Sequence, residues 1–583
     1  MDYQNCRNLA AMFYAEAARQ GDKPFLWAKR DGAYRSLSWA RAAVETANLA
    51  KGLRQLGLRP GDRVALVSEN RPEWVIADLA AITAGGITVP AYVTHTVDDH
   101  RHLLTDCGAS LAIVSSLALA RRVAEAASQA PSVKGLVVME TLLPDANLPV
   151  AAQSWDAVLA RGASATDDVA DWVAEIARED LACLIYTSGT GGLPKGVMTS
   201  HANILANCGA AYQLLEKLDL GDEIFLSFLP MSHSYEHTAG MMFPISLGAQ
   251  IYFAKGADSL AANLLEARPT VMTAVPRLYE AFHQRILRAI EREGGFKAKL
   301  FFKALALGRK RLADPASLTL SERLIDRMLD RLVRDKVRAR FGGRLKALVS
   351  GGAPLNPEIG RFFLALGVRL LQGYGQTEAS PVISANPPDR IRIETVGPAV
   401  DGVEVDFAAD GEILVRGPSV MKGYWNDEAA TSRALAGGWL HTGDVGARDP
   451  DGYIRITDRK KDFIKTSGGD MIAPTRIETQ LTLQPEIGQA MVLGDQRPFL
   501  VALLVPNQEL QGHAPDRIAK EVAAAVTRVN AVLPTLERIR RYKIVVAFTT
   551  ANGQMTPTLK IRRHVIRQAY AAELDALYEK SAG

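Results

Sequence analysis

The 583-residue sequence is poor in cysteine, in long apolar runs and in net charge. Its cysteines, Cys6, Cys107, Cys183 and Cys208, are scattered and make no CxxC pair. That excludes a disulfide framework and a zinc site of the paired-cysteine type, and it suits a reducing cytoplasm. The most apolar stretch, 76–93, is interrupted by Asp78, Gly85, Gly86 and Pro90, so no segment supplies the ~20 apolar residues of a membrane span. Met1-Asp-Tyr-Gln-Asn-Cys-Arg lacks a basic-then-apolar layout, and no export leader is expected. The formal net charge is only +4, which makes no demand for a nucleic-acid partner.

What is present is an ordinary globular composition on a chain too long for one core, so about two to four domains or subdomains are expected. Short apolar runs recur: Arg63-Val-Ala-Leu-Val-Ser, Ser110-Leu-Ala-Ile-Val-Ser, Gly135-Leu-Val-Val-Met, Leu181-Ala-Cys-Leu-Ile-Tyr, Gly248-Ala-Gln-Ile-Tyr-Phe and Leu345-Lys-Ala-Leu-Val-Ser. Each ends in turn residues and alternates with helical patterns. Such strands are covered on both faces, which predicts an α/β fold with mainly parallel sheets. The clearest helix is 321–341, where Leu324, Ile325, Met328, Leu329, Leu332 and Val337 share a stripe and Thr319 with Glu322 forms a capping box. Between Arg277 and Lys346 there are 19 Lys/Arg against 8 Asp/Glu, a local excess of +11. That excess reads as solvated helix faces or as a basic face for an anionic membrane or polyanionic cosubstrate.

One loop carries chemistry on its own. After the strand ending in Ile185 and Tyr186 come Thr187, Ser188, Gly189, Thr190, Gly191, Gly192, Leu193, Pro194, Lys195 and Gly196. Glycines let backbone N–H groups approach an anion, hydroxyls add donors, and Lys195 adds positive charge, as a triphosphate requires. A P-loop is excluded because Pro194 and Gly196 flank the lysine where Gly and Ser/Thr are needed, and GxGxxG also fails. The loop resembles the signature of the AMP-binding, adenylate-forming superfamily. Gly191 stands where that signature has a second Thr, so backbone donors carry more of the phosphate binding.

Further motifs follow in the superfamily's order, and the resemblance implies their roles. Gly351-Gly352-Ala353-Pro354 resembles the adenine-side loop. In Gln372-Gly373-Tyr374-Gly375-Gln-Thr377-Glu378, Tyr374 stacks on adenine, Thr377 touches the α-phosphate, and Glu378 holds Mg²⁺ with Thr187. Asp444 takes the ribose hydroxyls and Arg459 meets ribose or phosphate. Lys461 is the hinge, Ser467, Gly468 and Gly469 line a CoA channel, and Lys560 is the C-terminal catalytic lysine. In Leu229-Pro-Met-Ser-His233-Ser-Tyr235-Glu-His237-Thr-Ala-Gly240, His233 lies near the bound carboxylate, and Tyr235 and His237 gate an acyl tunnel or simply pack in a loop.

The implied fold is a large N-terminal domain of α/β sheets plus a β-subdomain (1–460, with the basic helical insertion near 280–345) and a small mobile α+β C-terminal domain (461–583). The implied activity consumes ATP with Mg²⁺ and coenzyme A. A carboxylate is joined to AMP, with Lys195, Thr187, Glu378, His233 and Lys560 as the catalytic set, and the acyl group then passes to a thiol. The text around His233, 275–280 and 458–474 resembles the long-chain fatty acyl-CoA synthetase branch. The alternatives are a medium-chain or aryl-CoA ligase, or a fatty acid adenylate ligase loading a carrier-protein thiol. A non-enzymatic binding protein is disfavoured because the site residues are all retained. A cytoplasmic enzyme, a homodimer and a peripheral membrane contact through the insertion are compatible with this reading.

Overall fold

A computed structural model describes residues 1–142, 147–187, 193–256, 259–556 and 560–579. The chain forms two compact units that interleave in sequence: 1–406, 414–441 and 448–455 make the first, and 407–413, 442–447 and 456–583 the second.

The first unit holds two eight-stranded sheets. In one, the strands run in the order Gly423–Tyr424, Lys195–Ser200, Leu181–Thr187, Ile87–Ala91, Arg63–Val67, Ala109–Val114, Gly135–Val138 and Ala152–Ser154. All pairings from Leu181–Thr187 onward are parallel, for example Ala65 with Val89 and with Ala112. Leu181–Thr187 and Lys195–Ser200 are antiparallel, with Thr187 the register partner of Lys195. The expected apolar runs are therefore strands, and Ala109–Val114 is buried at every residue because helices cover both faces.

The second sheet runs Val382–Ala385, Leu370–Gly375, Ala347–Ser350, Val271–Ala274, Ile224–Ser227, Gln250–Phe253, Pro24–Arg30, Ala33–Ser38. Its central pairings are parallel. The segments after 227, 274, 350 and 375 thus leave the carboxyl ends of adjacent parallel strands. Open α/β sheets bind ligands at that edge.

In the basic region the predicted helix is present in three pieces: an α-helix at Leu320–Leu329, a π-turn at Asp330–Arg334 and an α-helix at Asp335–Arg340. The Thr319–Glu322 capping box forms as expected. The stripe does not all face a core: Leu329 and Val333 are buried, but Leu320, Leu324, Met328 and Leu332 are exposed.

The second unit has a three-stranded sheet, Ile487–Leu493, Leu500–Pro506 and Ile539–Ile544, with an antiparallel and a parallel pairing. The helices Pro474–Thr482 and Pro515–Val532 pack on it through Ile477, Leu481, Val522 and Val529.

Candidate active site

The phosphate loop begins and ends at a hairpin. Ser188, Gly189, Thr190, Gly191 and Gly192 lie outside the described residues, but both anchors are described. Tyr186 closes the strand, and its hydroxyl donates to Asp106 at 2.5 Å. The Asp106 carbonyl accepts from Trp425 Nε1 at 3.1 Å and from Asn426 at 2.9 Å. Burial, and then the Asp106 bond, push the Tyr186 hydroxyl pKa well up, so it stays a donor. Gly196 fits closely there: a Cβ would stand 3.0 Å from the Tyr186 ring and 3.3 Å from Trp425 Cβ, so either neighbour would have to shift by a few tenths of an ångström. On the far side of the loop, His102 Nε2 is 2.9 Å from the Pro194 carbonyl.

Lys195 has partners within the first unit. Its ammonium pairs with Asp427 at 2.9 Å and lies 5.3 Å from the centroid of the Tyr424 ring. That pairing holds the Asp427 carboxyl below its usual range. Tyr424 in turn donates from its hydroxyl to Glu378 Oε1 at 2.9 Å. Burial, with Glu378 beside it, raises the Tyr424 pKa. Glu378 is thus steered by a neutral donor, and Oε2 has no hydrogen-bond partner among the described residues. The sequence reading missed Asp106, His102, Tyr424 and Asp427. No motif surrounds them, and the placing of Tyr424 and Asp427 depends on the pairing of Gly423–Tyr424 with Met198 and Val197.

At the carboxyl edge of the second sheet, Gly351 and Gly352 follow Ala347–Ser350. A Cβ on Gly351 would meet the Tyr235 ring at 3.0 Å, and Gly352 adopts φ +80°. Ala353 and Pro354 complete that turn. Gln372, Gly373, Tyr374 and Gly375 form the end of the next strand. A Cβ on Gly375 would sit 1.9 Å from the Pro381 carbonyl oxygen, so only glycine fits. Thr377 Oγ1 is 3.0 Å from Ser234 Oγ, which joins the 372–378 segment to the 229–240 segment. His233 Nδ1 accepts from the Tyr235 amide at 3.1 Å. In a neutral imidazole this leaves the proton on Nε2.

Two residues of the 229–240 segment, His237 and Tyr235, are buried. His237 is fully buried on a π-helix, Glu236–Met242, with Nε2 3.3 Å from Asp78 and its ring edge-on to Trp74. Tyr235 is buried and donates to the Val349 carbonyl at 3.0 Å. Glu236, also fully buried, accepts from Ser227 and Thr273 at 2.7 Å each. Burial pushes its pKa up to about 7.

The remaining expected residues lie in the second unit. Arg459 Nε lies 3.3 Å from the nearly buried Asp444. The Asp444 amide donates to Thr442 Oγ1 at 3.1 Å, which fixes the turn that presents the carboxylate. Lys461 is exposed beside Lys460, whose ammonium binds Asp410 and Glu412 at 2.5 and 3.1 Å. Ser467, Gly468 and Gly469 form the exposed tip of a hairpin whose arms pair Ile464 with Ile472, and Gly469 adopts φ +92°.

Lys560 stands on a tight reversal: its amide donates to Thr556 Oγ1 at 3.0 Å and its carbonyl accepts from the Thr556 amide at 2.8 Å. Pro557, Thr558 and Leu559 lie outside the described residues. Three residues on, Arg563 grips both oxygens of Glu478 at 2.5 and 2.6 Å and the Val492 carbonyl at 3.1 Å. That fork ties the lysine segment to the sheet.

These features define a family, and the chain belongs to it: the AMP-binding enzymes. The AMP-binding enzyme model matches residues 13–425 and its C-terminal domain model matches 461–582. Within the family the chain is 34% identical to the long-chain-fatty-acid–CoA ligase FadD15 of Mycobacterium tuberculosis, covering 98% of this chain and 97% of the relative. It is 29% identical to the human long-chain-fatty-acid–CoA ligase ACSBG1, covering 98% and 85%. Among solved structures, the A domain of a carboxylic acid reductase from Segniliparus rugosus, in complex with AMP and a co-purified carboxylic acid, superposes with TM-score 0.79 at 23% identity, covering 99% and 94%. A benzoate CoA ligase from Burkholderia xenovorans superposes with TM-score 0.72 at 24% identity, covering 96% and 99%. At those identities the two structures establish the adenylate-forming fold and nothing narrower.

Proposed function

We propose that the protein is an AMP-forming long-chain fatty acid–CoA ligase. In the first half-reaction a carboxylate oxygen attacks the α-phosphorus of ATP, the bond to the β-phosphate oxygen breaks, and acyl-AMP and pyrophosphate form. In the second, the CoA sulfur attacks the acyl carbonyl, the bond to AMP breaks, and AMP and one proton leave. The observation that carries the reading is the 3.0 Å contact of Ser234 with Thr377. It brings the acyl segment and the nucleotide segment to one point on the sheet edge. The chain length follows from the full-length relatives, whose names specify long-chain fatty acids.

No protein nucleophile is needed, so the residues position reactants and offset charge. Tyr374, Gly352, Ala353 and Pro354 take the adenine side, Thr377 the α-phosphate, and Asp444 with Arg459 the ribose. Lys195, leaving Asp427, and the loop amides of 188–192 take the leaving phosphates. His233 offers its Nε2 proton to the acid's carboxylate. Thr187 and Glu378 fit a Mg²⁺ ion: both offer hard oxygens, and Tyr424 occupies only one oxygen of Glu378. The ion would offset phosphate charge there. We assign Lys560 to adenylate formation and the 467–469 hairpin to the thiol step, with 461–583 reorienting about Lys461 between them. The protein works in the cytoplasm with peripheral contact to membrane through 280–345. Among the described residues no helix is long and apolar enough to cross a membrane.

The test is thioester formation over acids from acetate to oleate, with benzoate, offering CoA and a holo-carrier protein in parallel. Oleoyl-CoA as the dominant product is expected. Preference for benzoate or acetate, or transfer only to the carrier, would overturn the assignment.

A further inference from the structure

The helix at 320–334 has an exposed side that is both aliphatic and basic. Leu320, Leu324, Met328 and Leu332 follow an i, i+4 spacing and so form one row. They are 84, 72, 50 and 45% exposed. Arg323, Arg327 and Arg331, also at i, i+4 spacing, run alongside, all exposed. The opposite face is anchored: Leu329, Val333 and the fully buried Arg334 face inward, and Arg334 Nη2 lies 2.5 Å from Asp326.

The charges are sorted in the same way. Every acid of this segment is already neutralised by an inward or flanking base. Glu322 binds Lys310 at 2.7 Å, Asp326 binds Arg311 at 2.5 Å as well as Arg334, and Asp330 binds Arg338 at 3.0 Å, as Asp335 does at 2.6 Å. Arg327 and Arg331, by contrast, form no ion pair among the described residues. The outward face therefore combines aliphatic side chains with unpaired guanidinium groups and carries no free carboxylate.

We propose that this face docks on an anionic lipid bilayer, with Leu320, Leu324, Met328 and Leu332 entering the headgroup–acyl boundary and Arg327 and Arg331 meeting lipid phosphates. An interfacial amphipathic helix needs that combination. Charge complementarity selects an anionic occupant, and the row of protruding aliphatic side chains selects lipid over an acidic protein. The choice rests on the long-chain ligase reading, because a long-chain acid dissolves in the bilayer.

The test is flotation of the full-length protein with vesicles of phosphatidylcholine alone or mixed with phosphatidylglycerol, alongside AMP release on octanoate with CoA in solution. The wild type is expected to float with the anionic vesicles and to be released by salt. R327Q/R331Q is expected to bind about 25-fold more weakly, roughly fivefold for each arginine. L324E/M328E is expected to lose at least about tenfold. Both variants keep the wild-type rate on octanoate. Three results would overturn the proposal: wild type that ignores anionic vesicles, variants that float as it does, or a wild-type dimer on gel filtration that L324E/M328E turns to monomer, which would assign the face to a second copy. If the variants lose flotation while wild type activates no acid at all, the membrane face stands and the ligase reading falls.

Discussion

Glu236 gives the sharpest stability prediction. Its carboxyl is fully buried, with hydroxyl donors from Ser227 and Thr273, a backbone hydrogen bond from Phe228 and no cation among its partners in the described residues. Burial raises its pKa from 4.5 to about 7. The sign follows from proton linkage. Below pH 4.5 both folded and unfolded chains hold the proton. As pH rises toward 7 the unfolded chain gives it up first, so folding loses free energy until the folded carboxyl also ionises. At about 1.36 kcal/mol per unit, the loss is about 3 kcal/mol across that window. Glu236→Gln removes the titration while keeping a group that both hydroxyls can bond. All seven tryptophans lie in the first unit, so urea unfolding followed by tryptophan fluorescence isolates it. The variant is expected to gain about 3 kcal/mol on wild type between pH 4.5 and 7.5. A gap between the two proteins that stays constant over that range would refute a buried, raised Glu236.

Three further substitutions test the site. Lys560→Ala is expected to slow adenylate formation by roughly a hundredfold or more, while thioester formation from supplied acyl-AMP is spared; equal loss in both half-reactions would remove Lys560 from its role. Asp427→Ala frees the Lys195 ammonium and Tyr424→Phe frees Glu378, so both are expected to move KM for ATP several-fold, with KM for the acid unchanged, in steady-state kinetics. Glu478→Ala leaves the Arg563 guanidinium without its partner carboxylate, at a cost of about 3 kcal/mol. Hydrogen exchange should then rise at 474–482 and 563–569, and wild-type protection in those segments would contradict the clamp.

The strands were legible because strands buried on both faces must be almost wholly apolar, and Leu181–Thr187 or Ala347–Ser350 admits little else. The capping box at Thr319 was legible because both partners sit three residues apart. The side that the stripe of this helix presents was not: periodicity gives a face but not what lies against it, and Leu324 and Met328 point outward. His237 reads as a site histidine by its neighbours in sequence, yet its partner Asp78 is 159 residues away. Asp427 and Tyr424 were invisible for the same reason. Their work is to hold Lys195 and Glu378, and only the pairing of a two-residue edge strand brings them there. The motif glycines were readable because Gly375 answers to a backbone approach that only glycine allows, and Gly196 and Gly351 lie tight against the Tyr186 and Tyr235 rings.

The central claim is that a carboxylate is activated as an adenylate before any thiol arrives. ATP–pyrophosphate exchange without CoA measures that step directly. Exchange that depends on oleate, and AMP as the nucleotide product once CoA is added, are the predicted results. Exchange without any acid, no exchange with any acid tried, or release of ADP would contradict the account.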